Sequence, residues 1–141
     1  MMTEKKLVRQ KLNKLIDNLN QLKEIKKYSF EEYNENFYIK RTAERLLQLI
    51  VETATDINGH ILVKKRQSAP DSYYESFIKL GESEIISKKL AEKLAPSAGL
   101  RNRLVHEYDD IKDEIIYNTI PEAIDQYQKY VGEINEYIEK Q

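Results

Sequence analysis

The sequence contains no cysteine, so no disulfide framework and no thiolate-bound metal can hold it together. Glycine occurs four times and proline three times in 141 residues. So few chain-breakers predict few turns and long helices. Neither sign of charge dominates: 23 Lys and Arg stand against 24 Asp and Glu, a formal net charge of −1. Overall electrostatics therefore does not draw the chain to a polyanion, and any nucleic-acid site must be a local patch. Residues 1–6 lack the apolar core of a secretory leader. Charges interrupt every apolar run well short of the roughly 20 residues that span a bilayer. The expectation is a cytoplasmic protein that does not engage a membrane.

What is present suits one helical domain over residues 1–141. Hydrophobic residues make up 40% of the chain and charged residues 33%, enough for one core under a heavily solvated surface. Leu7, Leu12, Leu15, Ile16, Leu19, Leu22 and Ile25 recur at three- and four-residue spacing, which predicts a first helix over about 3–27 with Thr3 as its N-cap. Ser29 with Glu32 fits a capping box. It opens a second helix reaching about residue 66, with a bend near residues 34–36. The apolar positions of that helix cover more than one stripe, so it is expected to bury two sides, with Gly59 marking a close helix contact. Pro70 marks a loop over 67–71. A short helix over 73–80 is expected to end at Gly81 as C-cap. Another opens at Ser83 and stops at Pro96, and Ser97 can cap the next. The last helix covers about 111–137, with a kink or split at Pro121. No strand pattern, repeat or linker is visible.

The stretch from Leu100 to Tyr108 departs from simple amphipathicity. At about 100° per residue, Leu100, Leu104 and Tyr108 share a stripe that can bury. Asn102 and His106, four apart, share another face, and Arg101 at the first turn can swing towards it. An imidazole, a carboxamide and a guanidinium then line one short helical edge. That set suits a phosphate diester. Imidazole titrates near pH 6.5 and serves as base or acid. Guanidinium offers a fork matched to phosphate. Asn102 can donate to a phosphate oxygen or orient His106. Each residue also has a plainer use: His106 bonded to Asp109 or Asp110, Arg101 paired with an acid, Tyr108 packed in the core.

Arg101, Asn102 and His106, with four residues between the Arg and the His, resemble the signature of the HEPN superfamily. Tyr108, two residues after the histidine, resembles the HepT-like toxins within it. Residues 73–81 and 52–62 are similar to the segments that flank the motif there, so the likeness runs from about residue 39 to the C-terminus. The resemblance implies an all-α bundle of four main helices plus short ones, paired as a homodimer with both motifs facing one cleft. It implies a metal-independent endoribonuclease toxin that needs no cofactor, with Arg101 and His106 catalytic and Asn102 supporting. Transfer RNA enters as a substrate only through this likeness. The implied partner is an MNT-type nucleotidyltransferase antitoxin that attaches adenylate to Tyr108.

Asp56 and His60, four apart on the second helix, occupy places where that family often has an Asp and a His. They are read as a structural hydrogen bond near the motif helix, with a supporting role in catalysis as the alternative. Two histidines and no cysteine argue against a structural zinc site. The basic runs at Lys64, Lys65 and Arg66 and at Lys88, Lys89 and Lys93 are phosphate contacts or solvated helix ends. A different class of function also fits the motif: a non-catalytic dimeric module that binds a nucleotide or a protein in the same cleft.

Overall fold

The computed structural model describes residues 3–65, 69–106 and 111–141. They form α1 (Glu4–Lys26), α2 (Phe30–Glu35), α3 (Phe37–Lys64), α4 (Tyr73–Glu82), α5 (Lys88–Leu94), α6 (Ser97–His106) and α7 (Asp113–Glu139). There is no strand among the described residues, and no helix there is long and apolar enough to cross a membrane. The fold is an all-α bundle.

Short polar side chains set most helix starts, because the first backbone N–H groups of a helix have no partner within it. Thr3 Oγ1 accepts from the Lys6 amide at 3.1 Å. Ser29 and Glu32 complete the expected capping box: Ser29 Oγ accepts from the Glu32 amide, and Glu32 Oε1 accepts from the Ser29 amide. The expected second helix is two. Asn36 leaves the helical region with φ −110° and ψ 103°, and its Oδ1 accepts from the Tyr38 and Ile39 amides. The bend is therefore a full stop and restart. Pro121 does not split α7, which runs through it.

α3 is the centre of the bundle. It packs against α1, α2, α4, α6 and α7. It buries Ala43, Leu46, Leu47, Ile50, Val51, Ala54, Ile57, Ile61 and Leu62, which at about 100° per residue form one broad face of roughly 160° rather than the two sides expected. Each fully buried Leu or Ile contributes roughly 1.5–3 kcal/mol, so α3 anchors the core. Gly59, however, makes no close approach: a Cβ there would meet nothing within 4 Å.

Gly81 and Ser83 also differ from expectation. α4 continues past Gly81 to Glu82. The left-handed residue that ends it is Glu84, at φ 59°. The Ile85 amide donates to Leu80 O at 3.0 Å and the Glu84 amide to Gly81 O at 3.1 Å, the paired bonds of a Schellman ending. Gly81 instead lets α5 come close, since a Cβ on it would lie 2.7 Å from Ala91 Cβ. α5 starts after Ser87, whose Oγ accepts from the Leu90 amide, rather than at Ser83.

A buried polar chain links α7, α3 and α4. Tyr130 Oη donates to Asn58 Oδ1 at 2.5 Å, Asn58 Nδ2 donates to Ser76 Oγ at 3.0 Å, and Ser76 Oγ donates to Tyr73 O at 2.7 Å. Buried polar groups cost heavily when unpaired, so this chain fixes the relative placement of the three helices. It ends at Tyr73, which borders the motif helix.

Candidate active site

The motif residues lie on α6, a ten-residue helix. Its start is tied down by Ser97, which is not an N-cap. Ser97 is the first helical residue; its Oγ donates back to Leu94 O at 2.6 Å and lies 2.7 Å from Tyr127 Oη. Ala98 and Leu104 are buried, and Leu100 packs half-buried against the core. That seats one side of α6 on α3 and turns Asn102 and His106 to the surface, both exposed.

Arg101 is held on three sides. Its Nε and Nη2 both donate to Glu52 Oε2, at 2.9 and 2.7 Å. Its Nη1 donates to Asn102 Oδ1 at 3.2 Å. Its Cζ stands 4.8 Å from the centroid of the Tyr73 ring, within cation–π range. The pairing with an acid that the sequence left open is thus present, and the acid is Glu52 on α3. Partial burial by itself would raise the Glu52 pKa. Hydrogen bonds from Arg101 and Gln48 and the charges of Arg101 and Arg45 outweigh it and hold the carboxyl below its ordinary value. Glu52 is therefore ionised at neutral pH.

The structure joins Arg101 to Asn102 directly. His106 lies four residues beyond Asn102 on the same helix, and its side chain makes no hydrogen bond to another described residue. Tyr108, Asp109 and Asp110 lie outside the described residues, as does Arg66 of the first basic run.

Asp56 and His60 do not bond to each other. Lys11, reaching across from α1, takes Asp56 Oδ2 at 2.6 Å. His60 lies beside Asp56 in a surface hollow with Thr55, Gly59 and Val63. Asp56 is one turn beyond Glu52 on α3, and His60 is two. Lys64 and Lys65 are farther still, roughly 18–20 Å along the helix from Glu52 at 1.5 Å per residue. Lys65 stands over the Tyr137 ring instead. Among the described residues no group of three or more His, Asp or Glu is arranged to hold a metal ion.

Glu52 and Tyr73 are the two site residues that motif reading misses. Both fall inside segments that resemble the family's flanks, but nothing local in the sequence marks either as a partner of Arg101.

Residues 15–134, which contain Glu52, Tyr73, Arg101 and His106, match the ribonuclease HepT-like family. The chain belongs to that family. It is 45% identical over 120 residues to the tRNA nuclease HepT of Aphanizomenon flos-aquae, a match covering 85% of this chain and 82% of that protein. It is 24% identical over 103 residues to the mRNA nuclease HepT of Shewanella oneidensis, covering 73% and 77%. The fold superposes on a tri-AMPylated Shewanella oneidensis HEPN toxin solved in complex with an MNT antitoxin. The TM-score is 0.85 at 20% identity, covering 96% of this chain and 99% of that one. The HepT-like bundle is thus shared across sequences that have diverged far.

Proposed function

We propose that this protein is the ribonuclease toxin of a toxin–antitoxin pair, acting as a homodimer without a metal ion. The observation that carries the reading is the arrangement on α6. A guanidinium held in one orientation and an exposed imidazole share one ten-residue helix, in a chain 45% identical to a tRNA nuclease. Of the two nucleases compared, the higher identity lies with the one acting on tRNA, so transfer RNA is the proposed substrate.

RNA carries its own nucleophile. The 2′-oxygen attacks the adjacent phosphorus, the new O–P bond forms, and the bond to the 5′-oxygen of the next nucleotide breaks. His106 accepts the 2′-hydroxyl proton. The leaving 5′-oxygen needs a proton in turn, and the second copy of the motif in a two-fold dimer supplies the imidazole that gives it. Arg101 stabilises charge on the non-bridging oxygens, and Asn102 supports its orientation.

The proposed antitoxin is an MNT-type nucleotidyltransferase that adenylylates Tyr108. The support is the AMPylated state of the related toxin in its antitoxin complex. Adenylate two residues from His106 adds a negative phosphodiester and a bulky nucleoside, which repel and obstruct an RNA backbone.

The test is cleavage of total transfer RNA by the purified protein in EDTA. Products ending in a 2′,3′-cyclic phosphate, with DNA of the same sequence left uncut, are expected, because DNA lacks the nucleophile. A strict magnesium requirement or cutting of DNA contradicts the mechanism.

A further inference from the structure

The fold gives Arg101 a support that lies 49 residues away in sequence. We infer that Glu52 is a positioning residue: together with Tyr73, it fixes the Arg101 guanidinium so that its remaining terminal N–H groups face the substrate phosphate. The inference rests on the ribonuclease reading above and adds a residue outside the motif to it.

The argument is a count of donors. A guanidinium has five N–H bonds in a rigid plane. Glu52 Oε2 takes the Nε–H and one N–H of Nη2, and Asn102 Oδ1 takes one N–H of Nη1. Two remain, one on each terminal nitrogen. Each of these N–H groups can donate to a phosphate oxygen. Without Glu52 the side edge of the guanidinium would compete for the same phosphate, and the long side chain would sample several rotamers.

Two further contacts narrow the choice. The Tyr73 ring lies 4.8 Å from Cζ and restricts the plane of the guanidinium. Gln48 Nε2 donates to the same Glu52 oxygen at 3.1 Å, one turn back on α3, and fixes the carboxylate itself. Glu52 also sits on the most deeply embedded helix of the fold, so its position is set by the core. A stabilising role alone explains little, because ion pairs this near the surface contribute little to stability. The side chains of Arg101 and Glu52 remain 18% and 28% exposed.

The experiment compares the parent with Glu52→Gln, Arg101→Ala and the double variant, on total transfer RNA, with helical circular dichroism and thermal melting alongside. Glu52→Gln is expected to fold and to lower kcat about 10²-fold, the scale of a 1 Å misplacement of a reacting group, with KM little changed. In the Arg101→Ala background the same change is expected to cost nothing more, since there is no guanidinium left to position. Tyr73→Leu is the second probe, with the same expected loss of kcat and the same silence in the Arg101→Ala background. It carries the test if Glu52→Gln fails to fold. A slow Arg101→Ala with a fully active Glu52→Gln overturns the positioning role and leaves the nuclease reading standing. Additive losses in the double variants overturn it as well. A fully active Arg101→Ala overturns both readings.

Discussion

The side-chain oxygens of Ser97 and Tyr127 lie 2.7 Å apart, and this one contact ties the first turn of the motif helix to α7. Ser97 already donates its proton to Leu94 O, so Tyr127 is the donor between them. Burial pushes the Tyr127 hydroxyl well above its ordinary pKa, offset only in part by Ser97, and it stays protonated at any working pH. Tyr127→Phe should therefore cost about 1 kcal/mol, the net worth of one hydrogen bond, measured by urea unfolding. Hydrogen exchange at residues 98–104 should speed up. Unchanged exchange there would mean that α6 is held by its apolar side alone.

The α4–α5 corner makes a prediction with two opposite signs. Gly81→Ala gains about 1 kcal/mol of helix propensity. It also drives a methyl to within 2.7 Å of Ala91 Cβ, and such overpacking costs about 1–3 kcal/mol. Net destabilisation is expected. Glu84 holds a left-handed conformation at φ 59°, which costs an L-residue roughly 1–2 kcal/mol, so Glu84→Gly should raise the melting temperature. Thermal melts of the two single variants check both signs.

How much of this was legible in the sequence follows from how local each feature is. The caps at Thr3 and Ser29 and the apolar spacing of α1, α3 and α7 depend on neighbours within a turn, and the pattern carries them. The family likeness rests on the string from Leu100 to Tyr108. Glu52 and Tyr73 are different, because what makes them site residues is the packing of α3 and α4 against α6. The Asp56–His60 expectation failed for the same reason. Spacing on one helix allowed the bond, but Lys11 arrives from α1 and takes the carboxylate. Glycine usually ends helices, yet the use of Gly81 here is contact with α5. The left-handed position fell to Glu84, a residue with no such signature.

The adenylylation proposal separates modification from catalysis. Incubation with the cognate transferase and ATP should raise the mass of the chain by whole adenylate units and silence cleavage. Tyr108→Phe should resist both while keeping a substantial share of its nuclease activity, since the change removes only the acceptor oxygen. Intact-mass spectrometry with a parallel cleavage assay reads both effects. Silencing that proceeds unchanged in Tyr108→Phe would place the switch on another residue.

The most direct test of the central claim is the rate of transfer RNA cleavage by His106→Ala beside the parent, with both shown to be equally helical and equally stable. His106 is exposed at the end of α6, so its loss should leave the fold intact. Removing a general acid–base should slow cleavage about 10²–10⁴-fold. A folded His106→Ala that cuts RNA at the parental rate would contradict the account.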